Sequence, residues 1–151
     1  MESWAFEYAE KNAIEFEQGY PYVGKAETCH VKKYKEIVSV TDFAAVPKKS
    51  SAQLKSAIAI QPTCVSVDAA GLNWQLYDGG IYSDHKIVTE KQLDHAVTAV
   101  GYGSENGQDY WIVRNSWGAS WGENGYIRVA DKGDGAGIDG ILLDASRPTT
   151  D

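Results

Sequence analysis

The chain has 151 residues, 43% hydrophobic and 23% charged, which suits one folded domain with a sizeable core and excludes low-complexity disorder. Lys and Arg number 14 against 21 Asp and Glu, so the net charge is −7, and with no basic cluster nucleic acid is a poor partner. No apolar run reaches the ~18 residues of a membrane span, and no leader pattern precedes the first helical segment.

Residues Glu2 to Phe16 predict an amphipathic helix: Trp4, Tyr8 and Ala9 recur at helical spacing, and Glu7, Glu10 and Lys11 supply a polar side. Ser3 is a candidate N-cap for it. Gly19 and Pro21 end the segment, and Lys35 to Val40 predicts a strand. Ser50 to Ile60 predicts a second helix, capped by Ser50 or Ser51, with Leu54, Ala57 and Ile58 inward and Pro62 closing it.

From Cys64 onward the period changes to two or to continuous apolar runs. Cys64 to Asp68, His95 to Tyr102, Tyr110 to Asn115 and Gly125 to Val129 predict strands, the middle two joined by a loop over Gly103 to Gly107. Gly133 to Gly140 carries Asp134 and Asp139 without the spacing of a calcium loop and predicts a flexible surface segment. The tail from Arg147 is expected to be loose. Helices followed by an antiparallel sheet argue for an α+β fold in a single domain over residues 1–151, with 1–22 its helical part and 23–151 its β-rich part. Cys29 and Cys64 match no zinc spacing, and no cofactor or metal is expected.

Two blocks carry the candidate chemistry. Leu93-Asp94-His95-Ala96-Val97 opens one strand, and Arg114-Asn115-Ser116-Trp117-Gly118 closes the next. Antiparallel pairing sets the start of the first beside the end of the second, so His95 and Asn115 are expected to be neighbours at one edge of the sheet. An amide oxygen beside an imidazole fixes its tautomer and orientation, and Trp117 is placed to shield the contact. Spacing alone leaves another reading open, in which His95 is a partly buried, hydrogen-bonded histidine and Asn115 a turn residue.

The strings Leu-Asp-His-Ala-Val over 93–97 and Asn-Ser-Trp-Gly-Ala-Ser-Trp-Gly-Glu-Asn-Gly-Tyr over 115–126 resemble the histidine and asparagine segments of papain-like, cathepsin L-like cysteine peptidases. Tyr20-Pro21-Tyr22, Gln61-Pro62 to Ala69, Gln75 to Tyr82 and Gly137-Ile138 resemble further segments of that family, so the resemblance spans nearly the whole chain. It implies a papain-like fold: a β-rich right-hand domain of antiparallel sheet or barrel with flanking helices, and a truncated helical left-hand part. It also implies that His95 is the general acid and base, Asn115 its orienter and Trp117 an aromatic shield. Leu93, Ala96 and Ala69 would lie near the pocket for the residue second from the scissile bond. Lysosomal or secreted residence is implied by the family alone.

The family's nucleophile is a cysteine directly before Trp-Ala-Phe. Here Ser3 precedes Trp4-Ala5-Phe6, so one alignment makes Ser3 a replacement for that cysteine, at the cost of a long internal deletion. The other matches Met1 to Ile14 to the family's second helix, needs one extra residue, and puts the catalytic helix upstream. Neither supplies a thiol at the nucleophile position. By resemblance Cys29 is half of a disulfide, and Cys64 is expected to pack in its strand.

The expected activity is therefore that of a portion of a cysteine endopeptidase, inactive or very weak by itself. The alternatives are a non-catalytic relative that binds peptides and a truncated or engineered scaffold. Expected partners are a peptide or protein substrate or inhibitor, with self-association or a complementing helical segment covering apolar groups near His95.

Overall fold

The structure is a computed structural model that describes residues 2–30, 38–84 and 86–150. Its elements are α1 (Glu2–Lys11), β1 (Asp42–Ala45), α2 (Ser51–Ile60), β2 (Thr63–Val67), α3 (Leu72–Gln75), β3 (Ile81–Tyr82), β4 (His95–Glu105), β5 (Gln108–Arg114), β6 (Tyr126–Ala130) and β7 (Ala145–Thr149). The strands form one sheet in the order β1-β7-β2-β4-β5-β6-β3. The chain divides into two compact units: Met1–Glu2 with Ala44–Arg147, and Ser3–Phe43 with Pro148–Asp151.

The core of the first unit follows from strand alternation. Val65 and Val67 on β2, Val97 and Ala99 on β4, Trp111 and Val113 on β5, and Ile127 and Val129 on β6 are all buried. The register sets Val65 opposite Val97, Ala99 opposite Val113, and Val113 opposite Ile127, so these side chains share one face. Leu54 and Ile58 of α2, with Trp74 and Ile141, join the same cluster. Each fully buried aliphatic side chain contributes about 1.5–3 kcal/mol.

The pairings β2/β4, β4/β5 and β5/β6 are antiparallel, as expected, and β7, a strand the sequence did not predict, also runs antiparallel to β2. One is not: β3 lies parallel to β6, with Ile81 opposite Arg128. The loop expected over Gly103 to Gly107 shrinks to a two-residue turn at Asn106-Gly107, with φ of 51° and 79°. Two left-handed residues match the twist of a hairpin, so both strands run right up to the turn.

α1 stops at Lys11, short of Phe16, because Ile14 exchanges hydrogen bonds with Val38 at 2.7 and 3.1 Å. Of the expected strand from Lys35 to Val40, residues 35–37 lie outside the described residues, as does His85, which has no partner at ligand spacing and is expected from the sequence to be exposed. α2 matches its expected span, but Ser50 makes no cap bond with its side chain. Asp134 Oδ1 instead accepts from the Ser51 N–H at 2.9 Å, and Ser51 Oγ donates to Asp131 at 2.6 Å.

The segment expected to be a flexible surface loop is thus tied down, and within it Asp139 is 1% exposed. Tyr82 donates to Asp139 Oδ2 at 2.9 Å, while Lys86 Nζ stands 3.2 Å from Oδ1 and 3.1 Å from Asp68 Oδ2. The Lys86–Oδ1 contact has ion-pair distance but not hydrogen-bond alignment. Burial pushes the Asp139 carboxyl above its ordinary range, against the pull of Tyr82 and Lys86. The tail expected to be loose is strand as far as Thr149.

Candidate functional site

Alternation along β4 puts His95 on the same face as buried Val97 and Ala99, at the last position of that row, where it is only partly buried. On β5 the same alternation carries the row from Trp111 through Val113 to Asn115, which is 7% exposed. Thr98 pairs with Arg114, and extending that ladder sets Trp117 opposite His95 with Asn115 diagonal to it.

The side chains meet accordingly. His95 Nε2 and Asn115 Oδ1 are 2.9 Å apart. The Ser116 N–H donates to the same Oδ1 at 2.7 Å. That backbone donor fixes which end of the amide faces the ring, because a flipped Asn115 would set two donors against each other. Oδ1 accepts, so Nε2 carries the hydrogen, and in the neutral ring Nδ1 keeps the lone pair. Trp117 stacks on the imidazole with centroids 5.0 Å apart and planes at 29°, and remains 40% exposed.

The loop behind this pair explains the spacing of its string. Asn115 N donates to the Gly125 carbonyl at 2.9 Å, and Gly125 N donates to Trp121 at 2.7 Å. Gly125 has φ of +90°, and a Cβ there would stand 3.2 Å from the Gly118 oxygen. At Gly122, φ is +54° and a Cβ would stand 2.6 Å from the Tyr126 oxygen, so only glycine fits. Arg128 clamps Glu123 through Nε and Nη2 at 2.9 and 2.8 Å, and Glu123 accepts from Gly80 N at 2.9 Å. Trp121 packs edge-on against Trp117 at 5.3 Å and donates to the Gln75 carbonyl at 3.0 Å.

Leu93, His95 and Ala96 line one groove of about 280 Å³. Ala69 is buried and its N–H donates to Asp94 Oδ1 at 2.8 Å, but it does not line the groove. Glu2, Ser66, Glu90 and Asp144 line the groove too and were not singled out from the sequence. They come from four separate segments, and no spacing rule links them. Ser3 lies on α1, in the second unit.

Cys29 is an exposed free thiol, and Cys64 is a partly buried free thiol on β2. Burial, reinforced by Glu2, pushes the Cys64 thiol above its ordinary range, the opposite of an activated nucleophile. Among the described residues, no group of three or more His, Cys, Asp or Glu is placed to hold a metal ion. No described helix is long and apolar enough to cross a membrane.

Against known proteins, the chain matches the description "Papain family cysteine protease" over residues 1–143. Cysteine proteinase RD21A of Arabidopsis thaliana is 47% identical over 148 residues, covering 96% of this chain and 31% of RD21A. Cysteine proteinase COT44 of Brassica napus is 46% identical over 151 residues, 96% of this chain and 44% of COT44. This chain therefore spans less than half the length of either relative. Among solved structures, the bromelain protease of Ananas comosus in complex with the E64 inhibitor superposes with a TM-score of 0.89 at 39% identity, over 99% of this chain and 69% of that one. The Carica candamarcensis cysteine protease CMS1MS2 in complex with E-64 gives 0.88 at 36% identity, over 100% of this chain and 68% of that one.

Proposed function

Because this chain belongs to the papain family of cysteine proteases and has the papain-like α+β fold, we propose that it supplies the histidine and asparagine half of a peptide-cleaving site. The observation that carries this reading is the 2.9 Å contact of His95 Nε2 with Asn115 Oδ1. With Nε2 committed to Asn115, Nδ1 is the ring atom left to take a proton from a thiol and return it to the leaving amine. Trp117, stacked on the ring, shields the pair. The groove lined by Leu93 and Ala96 receives a side chain of the bound peptide.

The chain alone is inactive or very weak in this reading. Its two cysteines are Cys29 and Cys64, and burial raises the Cys64 thiol. A serine at position 3 would be a poor substitute, since a hydroxyl is far less acidic than a thiol and needs a stronger base. Hydrolysis then requires a cysteine-bearing helix from another segment. Trp117, 40% exposed beside His95, is the apolar group that such a segment, or a second copy of the chain, would cover. Light scattering at high concentration checks the second case, which a monodisperse monomer rules out.

A second reading is favoured by the same cysteine inventory: a non-catalytic relative, or a truncated scaffold, that keeps half a cleft and binds peptides without cutting them. Hydrolysis of a fluorogenic peptide with and without E-64 separates the possibilities. The chain alone is expected to give neither turnover nor an adduct. E-64-sensitive turnover with an adduct on Cys29 or Cys64 refutes the absence of a nucleophile. Gain of E-64-sensitive turnover in Ser3→Cys assigns the nucleophile position to residue 3. Peptide-induced shifts at His95, without turnover in either protein, support the half-site.

A further inference from the structure

Half-buried cations among the described residues sit on carboxylates, with one exception. Lys55 Nζ stands 2.9 Å from Asp131, Lys86 Nζ 3.1 Å from Asp68, and Arg128 Nη2 2.8 Å from Glu123. Arg147 is half-buried too, yet its side chain makes no ion pair and no hydrogen bond among the described residues. A guanidinium that has lost part of its hydration and gained no anion is a charge short of compensation.

Arg147 stands on β7 next to β1, where the Val46 N–H donates to the Ala145 carbonyl at 2.9 Å. These strands and α2 border a groove of about 210 Å³ that lies within the first unit and shares no lining residue with the groove beside His95. Gln53, Ala57 and Ile60 are four and three residues apart, so they form one face of α2, while Leu54 and Ile58 join the core. β1 contributes Ala44, and Val46 follows it. Apart from Gln53, Ser56 and Arg147 the lining is aliphatic, and it holds no carboxylate. Ile60 is left 66% exposed, an apolar side chain that an occupant would cover.

Three features select that occupant. Arg147 calls for an anion, and its planar fork matches both oxygens of a carboxylate. The aliphatic walls call for an apolar side chain. Gln53 offers both a donor and an acceptor, and Ser56, whose hydroxyl already donates to the Ala52 carbonyl at 2.9 Å, offers an acceptor, which together suit one peptide unit. The volume is below the roughly 300 Å³ at which sites for drug-sized molecules begin, so it holds one residue and not a run of them.

We infer that this groove binds the C-terminal residue of a peptide ending in an aliphatic amino acid, its free carboxylate held by Arg147. The site is independent of the half-site reading above. Titrations into the ¹⁵N-labelled full chain test it with three probes: acetyl-Ala-Leu, its C-terminal amide, and 4-methylpentanoate, which keeps the carboxylate and the branched chain but lacks the peptide unit.

Acetyl-Ala-Leu is expected to bind at least about tenfold more tightly than its amide, as a charge-assisted contact implies. Its shifts should centre on Ala44 to Val46, Ala57 to Ile60 and the Arg147 side chain, and its advantage should shrink as salt is raised. Arg147→Gln removes a cation that has no partner to lose, so the fold should stand and the acid-to-amide ratio should fall to within about twofold of one. Arg147→Lys keeps the charge without the fork and should retain part of the ratio. An amide that binds as well as the acid, or a ratio unmoved by Arg147→Gln, overturns the role of the guanidinium. If 4-methylpentanoate binds as tightly as acetyl-Ala-Leu, the peptide unit is not recognised and the assignment to a peptide terminus is wrong. Absence of shifts at Ala57 to Ile60 with all three probes refutes the site.

Discussion

The main-chain N–H of Asn115 donates to the carbonyl of Gly125 at 2.9 Å, so the residue facing His95 is anchored by a glycine at the far end of its own loop. The loop and the imidazole contact are therefore one mechanical unit. Gly125 is held at φ +90°, with the Gly118 oxygen where a β-carbon would press.

Gly125→Ala should therefore destabilise the protein by about 1–3 kcal/mol, the usual cost of a non-glycine residue in strained backbone. Urea unfolding measures the loss. The ¹⁵N spectrum should show the Asn115 and Ser116 amides displaced more than those of β2. An unchanged midpoint, with Asn115 unmoved, contradicts the anchoring.

Asn115→Ala removes the acceptor that commits Nε2 of His95. In the parent protein above the imidazole transition, the ring nitrogens should report the Nε2–H form; in the variant the two tautomers should mix. Asn115 is buried and bonded to the Ser116 amide, so stability should also fall by about 1–3 kcal/mol. A tautomer ratio that ignores the substitution shows that something other than Asn115 orients the ring.

Glu123 links the loop to β6 through Arg128, and Arg128 holds its carboxyl below the ordinary range. The unfolded chain then binds more protons in mild acid than the folded one. The pair's stabilisation is full above the ordinary value of 4.5 and is lost as pH falls through the lower folded value. Glu123→Gln should cost about 1–3 kcal/mol at neutral pH, the range for a charge-assisted contact. The gap from the parent should close in acid. Urea midpoints across pH 7 to about 3 measure it, and a gap that widens in acid reverses the sign argued here.

Lys86→Met leaves Asp139, whose side chain is wholly buried, without its cation. Removing one partner of a buried ion pair costs about 3–5 kcal/mol. The penalty should diminish as acid protonates Asp139, and adding Asp139→Asn should recover part of it at neutral pH. Chemical unfolding of the single and double variants decides this. A double variant no better than the single one shows that the carboxylate charge was not the cost.

The two thiols should differ in reactivity. Cys29 is exposed, while Cys64 is partly buried with its thiol pushed up. Alkylation with iodoacetamide at neutral pH should label Cys29 at least about tenfold faster, and the difference should vanish in denaturant. Faster labelling of Cys64 in the folded protein identifies an activated thiol and makes it a nucleophile candidate.

The neighbourhood of His95 and Asn115 could be read from the chain alone because it depends only on strand alternation and a hairpin between them. Both fix which face and which end a side chain occupies, whatever surrounds the strands. The glycines at 122 and 125 were visible as letters, but their need was not, since φ and the approach of the Gly118 and Tyr126 oxygens exist only once the loop has closed. The burial of Asp139 went unread because its partners Tyr82 and Lys86 lie far back in the sequence, and a glycine-rich, acidic run looks solvated. Glu2, Ser66, Glu90 and Asp144 likewise share no periodicity. Local pattern determined the sheet, its core and the histidine–asparagine contact, whereas the charge lining the groove was decided by packing, because electrostatic neighbourhood depends on distance in space and not on order along the chain.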